Sequence, residues 1–423
     1  MAEIYETEER KERVILLGVD ISDGEDVDAS LNELEELADT AGAETVGRMI
    51  QNREAIHPGT YIGKGKIDEL RELIKRVRAD AVICDDELSP AQLGNLQDLL
   101  EIKVIDRTVL ILDIFAGRAS TREGKLQIEL AQLKYRSSRL IGLRSSLSRT
   151  GGASAGMGIG SKGPGEKKLE LDRRLIKNRM TYLYRELKDV RRSREVLRKK
   201  RGQNLTPVVA IVGYTNAGKS TLLNTLTEAK VLEEDKLFAT LDPTTRSYET
   251  ENGQKFLFTD TVGFINKLPH HLIDAFRSTL EEAKYADLIL HVVDVSNPDY
   301  EKHMQVVYDT LEQLEIEGKP VLTVFNKTDK VSENEIFKDI QGNRSIRISA
   351  KEGLGLEELI KEISEILNRG FIQIKKVFSY EDAGKLQYIR QYGQLQIEEY
   401  RDNGIYIEAL LPEQWARGFD HDK

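Results

Sequence analysis

The chain has 423 residues, enough for about three domains of ordinary size, and is 39% hydrophobic and 32% charged. No apolar run approaches the ~18 residues of a membrane-crossing helix, the charged stretch from Met1 to Arg13 argues against a secretory leader, and a single cysteine, Cys84, excludes an intrachain disulfide framework or a cysteine-built zinc site. The net charge of −10 conceals one basic segment: residues 118–201 carry 24 Lys and Arg against 8 Asp and Glu, a pattern suited to laying one element against a polyanion.

Over residues 1–117, strand-like and helix-like patterns alternate. The apolar run Val14 to Ile21 predicts a strand, and Leu31, Leu34, Leu37, Ala38 and Ala41 recur at helical spacing within Val27 to Ala41. Thr45 to Ile50 predicts a second strand, and Ile67, Leu70, Leu73, Ile74 and Val77 place one apolar face on a helix over Ile67 to Val77. Ala81 to Cys84 reads as a buried strand, with Cys84 a packed core thiol, since no histidine accompanies it as a base. Ser89 and Gln92 have capping-box spacing; Val104 to Asp106 and the helical run Thr108 to Phe115 close the unit. Gly59 to Lys66 fits no strong nucleotide fingerprint and reads as an ordinary loop. Strands alternating with helices imply a small α/β domain with a mostly parallel sheet.

Two long helices are predicted next, over Thr121 to Leu143 and Glu166 to Arg201. The second carries an apolar stripe of Leu169, Leu175, Ile176, Met180, Leu183, Leu187 and Val190, and at 1.5 Å per residue would reach about 50 Å, so the pair reads as an antiparallel hairpin. Gly151 to Gly165, between them, has seven glycines in fifteen residues. Ordering such a segment costs much entropy for little packing, which suits a tip that orders only on RNA.

Val208 to Val212 predicts a strand followed at once by Gly213, Tyr214, Thr215, Asn216, Ala217, Gly218, Lys219 and Ser220, then by a helix over Thr221 to Leu226. This is the phosphate-binding loop pattern in its strand–loop–helix setting: glycines let amides turn toward phosphate, Lys219 reaches the β- and γ-phosphates, and Ser220 offers a hydroxyl to Mg2+. The strand Lys255 to Thr259 runs into Asp260, Thr261, Val262 and Gly263, where Asp260 can hold Mg2+ through water and the Gly263 amide can meet the γ-phosphate. The strand Val321 to Phe325 ends in Asn326, Lys327, Thr328 and Asp329. The Asp329 carboxylate can accept both the N1–H and the 2-amino group of guanine; adenine would leave it unpaired. Asn326 braces this loop, Lys327 lies along the base, and Ser349, Ala350 and Lys351 follow the strand Ser345 to Ile348, the Ala350 amide facing guanine O6. In this order, each at a strand end, the motifs specify GTP.

A first switch is expected between Glu233 and Tyr248, with Phe238, Ala239, Thr240, Leu241 and Asp242 near the nucleotide. Spacing leaves Thr240, Thr244 and Thr245 open as the hydroxyl completing a Mg2+ shell, and Arg246 reads as structural or RNA-facing. Phe264 stands where Ras-like enzymes place the glutamine that orients the attacking water, so unaided hydrolysis should be slow. His270 and His271 read as solvated loop residues. Beyond Arg369, strand-like Phe371 to Phe378, helical Glu381 to Tyr392, and strands Leu395 to Tyr400 and Ile405 to Leu411 across the turn Asp402 to Gly404 form a small β–α–β–β module.

The nucleotide motifs, the basic glycine-rich hairpin and the α/β domain before it together resemble the HflX family, most specifically in Arg149 to Gly152, Gly165 to Arg174 and Phe238 to Arg246. The Phe-x-Thr-Leu pattern shared with translation-factor-class GTPases implies Thr240 as the Mg2+ threonine. The resemblance further implies a cytoplasmic GTPase, monomeric off the ribosome, that binds the large ribosomal subunit with its hairpin near the peptidyl-transferase region. It would dissociate or rescue ribosomes, with hydrolysis stimulated by them. An RNA-binding or remodelling protein whose affinity GTP merely tunes is the alternative. The expected architecture is α/β and multidomain: an N-terminal α/β domain (1–117), a helical hairpin (118–203), a P-loop GTPase domain (204–369) and a small α+β module (370–423).

Overall fold

The computed structural model describes residues 10–150, 164–202, 206–227, 237–238, 244–268 and 282–412, apart from positions 23, 25, 252, 317, 333 and 370. Residues 151–163 of the glycine-rich loop, Ala239, Thr240, Leu241, Asp242, His270 and His271 lie outside them. The described residues fall into two units, one reaching to Leu187 and taking in the short segment from Asn266, the other holding the remainder.

In the first unit, β1 (Arg13–Asp20), β2 (Glu44–Asn52), β3 (Ala81–Cys84) and β4 (Lys103–Asp106) make a parallel sheet in the order β2-β1-β3-β4. Helices α1 (Val27–Thr40), α2 (Lys64–Val77), α3 (Pro90–Leu100) and α4 (Arg107–Arg118) connect and follow the strands. Strands covered on both faces need apolar residues throughout, which explains why β1 and β3 are continuous apolar runs without alternation. Ile15, Leu17, Leu70, Val82, Cys84 and Leu96 share one core. The Ser89 hydroxyl accepts from the Gln92 amide at 3.2 Å and the Gln92 side chain accepts from the Ser89 amide at 2.9 Å, a cap worth about 1 kcal/mol to α3.

Helix α5 (Arg122–Thr150) runs past the predicted Leu143, because nothing from Arg144 to Thr150 breaks a helix, and α6 (Pro164–Gly202) extends its predicted span by three residues. They run antiparallel: Arg122 pairs with Glu186, and Arg179 pairs with Glu129 at 2.6 Å, over a seam of Leu130, Leu183 and Leu187. Tyr135 and Arg139 seat α5 on the sheet by donating to Asp106, the cap of α4, at 2.9 and 2.6 Å.

The second unit holds a six-stranded sheet of β5 (Val208–Gly213), β6 (Thr244–Glu249), β7 (Lys255–Asp260), β8 (Leu288–Asp294), β9 (Val321–Asn326) and β10 (Arg344–Arg347). Its order is β10-β9-β8-β5-β7-β6, with only the edge strand β6 antiparallel. Thr244, Thr245 and Arg246, which fall within the expected first switch, are in β6, where Thr245 pairs its hydroxyl with that of Thr259 on β7 at 3.0 Å. Helices α7 (Lys219–Thr227), α8 (Tyr300–Gln313) and α9 (Leu356–Leu367) belong to this unit. The chain then forms β11 (Phe371–Phe378), α10 (Ala383–Tyr392), β12 (Gln394–Arg401) and β13 (Gly404–Pro412), an antiparallel sheet in the order β11-β13-β12 around Phe378, Leu386, Ile389, Ile407 and Leu411. Among the described residues no helix is long and apolar enough to cross a membrane.

His291, in the middle of β8, is 1% exposed, stacks edge-on against Tyr308, and its Nδ1 has no hydrogen-bond partner among the described residues. Burial drives its pKa down to about 4, so the folded protein keeps it neutral. The unfolded chain takes up that proton near its ordinary pKa of about 6.5, so this stabilisation is complete above that pH and is lost as pH falls toward the folded value. Urea melts at pH 7.5 and 5.5 should therefore show a larger loss of stability on acidification for the wild type than for His291→Phe; equal losses would remove His291 as the cause.

Candidate functional site

Crossing from β5 to β7 on one side and β8 on the other makes β5 the switch point of the second sheet, and its carboxyl edge is where an open α/β sheet leaves a crevice. Four of the predicted stretches end there. Gly213 closes β5, Asp260 closes β7 and Asn326 closes β9, while Ser349 and Ala350 follow β10. The loop from Tyr214 to Gly218 leads into α7, which begins at Lys219, so the N-terminal end of that helix faces the crevice.

Gly218 has φ +90°, and a Cβ there would lie 2.3 Å from the Asn326 amide nitrogen, so only glycine fits. That Asn326 amide donates to the Ala217 carbonyl at 2.8 Å, and its oxygen accepts the Ala350 amide at 2.9 Å. Asn326 is 3% exposed and ties the phosphate loop to the loop after β10. The Ala350 amide, read as the guanine O6 donor, is thus already engaged with Asn326. Asp329 is exposed, and its carboxylate accepts from the Ser349 hydroxyl at 2.6 Å, which holds it below the usual carboxylate range. The Thr328 hydroxyl donates to the Ile348 carbonyl at 2.9 Å. Lys351 is exposed beside them.

Lys219 is buried, and its ammonium donates to the Tyr214 carbonyl at 2.7 Å. Burial pulls its pKa down to about 8. The Ser220 hydroxyl donates to the Asp260 carboxylate at 2.8 Å, so two hard oxygen donors converge at the start of α7, a set that suits Mg2+. The Thr221 carbonyl accepts from Thr225, and the Thr261 hydroxyl is turned to the Ile211 carbonyl at 2.8 Å, a strut between β5 and the segment after β7. Val262 is buried, as is Phe238, which has φ +56°. A Cβ on Gly263 would sit 2.9 Å from Thr215 Cα and 3.0 Å from Lys219 Nζ. Phe264 is 2% exposed and acts through its backbone, its amide donating to Gly213 at 3.1 Å and its carbonyl accepting from Thr215 at 2.8 Å.

Two partners escaped the sequence reading. Lys327 pairs with Asp294 at 2.7 Å; Asp294 ends an apolar strand as Asp260 does, and that shared pattern was the available signal. Tyr214 stacks on His303 of α8 with ring centroids 3.8 Å apart, a contact that no spacing rule announces. Replacing Asn326 with Ala strands two buried backbone groups, a cost of about 1–3 kcal/mol. The Asn326→Ala protein should melt earlier and bind fluorescent GDP at least tenfold more weakly; unchanged GDP binding would show that the tie does not shape the site.

Comparison with known proteins places these features together. Residues 28–116, 118–201 and 208–327 match, in turn, the families described as GTP-binding GTPase N-terminal, GTP-binding GTPase Middle Region and 50S ribosome-binding GTPase. The chain is 59% identical to the GTPase HflX of Lacrimispora saccharolytica over 98% of its own length and 97% of that protein. It is 49% identical to the GTPase HflX of Caldanaerobacter subterraneus over 94% and 91% of the two chains. A GTP-binding protein of Sulfolobus solfataricus solved with GDP aligns over 84% of this chain and 99% of that one, at 24% identity and a TM-score of 0.44. The phosphate loop, the guanine-type loop and the basic helical pair occur here in a chain that belongs to the HflX family of GTPases.

Proposed function

We propose that this GTPase acts in the cytoplasm on the large ribosomal subunit and couples its nucleotide state to ribosome dissociation or rescue. Lys219 would hold the β- and γ-phosphates, the Gly263 amide the γ-phosphate, and Asp329 the N1–H and 2-amino group of guanine, with Asn326, Lys327, Ala350 and Lys351 framing the base. Ser220, Thr240 and, through water, Asp260 would hold Mg2+, which neutralises phosphate charge when bound. Phe264 offers no side-chain group to orient water, so the stimulus for hydrolysis would come from the ribosome.

The observation that carries the ribosomal reading is the surface of α6. Arg174, Lys177 and Arg185 are exposed together with Leu175, Tyr182 and Tyr184, at 56%, 50% and 48% exposure for the last three. Cations interleaved with exposed aromatic rings suit phosphates and unstacked bases, and α6 begins where the glycine-rich loop ends.

GTP turnover at fixed Mg2+, with and without purified large subunits, tests this. A rise of at least a hundredfold, about 2.7 kcal/mol of barrier, is expected; no rise with GTP still bound would leave an RNA-binding protein whose affinity GTP tunes. Lys219→Ala should abolish productive GTP binding or turnover. Deleting Gly151 to Gly165 should spare GTP binding and impair ribosome dissociation, and intact dissociation after the deletion would exclude the loop from that step.

A further inference from the structure

Hydrolysis of GTP needs a water held with a lone pair toward the γ-phosphorus, and a water is held that way by acceptors that take its hydrogens. In the second unit three residues converge on one point at the phosphate loop. A Cβ on Gly263 would lie 2.8 Å from Thr215 Cγ2, 2.9 Å from Thr215 Cα and 3.0 Å from Lys219 Nζ. The Thr215 side chain therefore stands beside Lys219 and Gly263, the two residues read as donors to the γ-phosphate.

Among the described residues at this point, acceptors are scarce. An ammonium and a backbone amide only donate. The Tyr214 carbonyl takes the Lys219 ammonium at 2.7 Å, the Phe264 carbonyl takes the Thr215 amide at 2.8 Å, and the Gly213 carbonyl takes the Phe264 amide at 3.1 Å. The Ser220 hydroxyl is engaged with Asp260 and the Thr261 hydroxyl with the Ile211 carbonyl, while the buried Phe264 ring has no acceptor to offer. Thr215 differs from all of these. It is 6% exposed, and its hydroxyl has no hydrogen-bond partner among the described residues. A buried hydroxyl without a partner destabilises the protein that carries it, and valine would fill the same shape without that penalty. The group suits a partner that arrives with the substrate.

We propose that the Thr215 hydroxyl is a catalytic group of this GTPase, accepting a hydrogen bond from the attacking water and so doing the orienting that Phe264 cannot. This rests on the nucleotide site described above. The water oxygen bonds the γ-phosphorus, the bond from that phosphorus to the β–γ bridging oxygen breaks with its electron pair left on GDP, and the water's proton passes to the released phosphate. The threonine is unchanged throughout, since its hydroxyl orients the water by a lone pair and keeps no proton. GDP brings neither γ-phosphate nor attacking water, so the hydroxyl serves turnover and adds nothing to GDP binding.

The test loads the full chain with GTP and Mg2+ and follows a single turnover without ribosomes, with GDP affinity measured beside it by fluorescence titration. Thr215→Val should slow hydrolysis at least tenfold, about 1.4 kcal/mol of barrier, with GDP affinity within about threefold of wild type. Thr215→Ser, which keeps the hydroxyl and drops the methyl, should hydrolyse GTP within about threefold of the wild-type rate. Thr215→Ala carries the same expectation as Thr215→Val, should the latter not fold. Unchanged hydrolysis in Thr215→Val or Thr215→Ala, a Thr215→Ser protein as slow as these, or a loss of GDP affinity equal to the loss of rate each overturns the role. Failure of the wild type to bind GDP would instead overturn the nucleotide site itself.

Discussion

A parallel strand arrives at its carboxyl edge with polar backbone groups to satisfy, and in the six-stranded sheet one side chain serves two loops at once. The Asn326 amide bonds the Ala217 carbonyl and the Ala350 amide, at 2.8 and 2.9 Å. In a buried setting each bond is worth only about 1 kcal/mol net, but an unmade one costs more, so the loops hold their places because leaving is expensive. The consequence reaches the phosphate loop directly: Gly218 must lack a side chain because the Asn326 amide fills the space its Cβ would need. The loop after β5 and the loop after β10 are thereby set at a fixed spacing.

How much of this was legible in the sequence follows from what each element must do. The placement of Gly213 to Ser220 at the end of β5 and of Asn326 at the end of β9 was legible because apolar strand runs stop where polar and glycine-rich stretches begin. The parallel sheet of the first unit was legible for a related reason, since β1 and β3 have no polar face to offer. Lengths were less so. Hydrophobic spacing stops where a helix stops packing, and α5 continues past that point because nothing ends it before Gly151. Strand β6 was missed because an edge strand takes its structure from its neighbour, and Thr245 becomes a strand residue only once Thr259 is beside it. Contacts such as Tyr214 on His303, or Lys267 with Asp85, join residues far apart in sequence, and no periodicity encodes them.

The charge distribution also has a division of labour. Strongly acidic surroundings repel nucleic acid, so a basic segment confined to two helices sets which face of the chain a polyanion can approach. Arg122 and Arg179 spend part of that charge on Glu186 and Glu129, holding the helices in register, and Arg174, Lys177 and Arg185 are left on the exposed side. Salt would weaken the outward-facing charges more than the apolar seam beneath them.

The position of Cys84 has a chemical consequence. It is the only thiol in the chain, it is fully buried in β3, and burial together with nearby carboxylates raises its pKa well above that of a free cysteine. Oxidants and alkylating reagents attack thiolate at the surface, and the described fold presents none. Sulfur modification of Cys84 must wait for the sheet to open, so when opening and closing are fast its rate is the reagent's intrinsic rate scaled down by the open fraction, which the opening free energy of the first unit sets. The residue is a clock for the integrity of the sheet, and one that records nothing while the fold is intact.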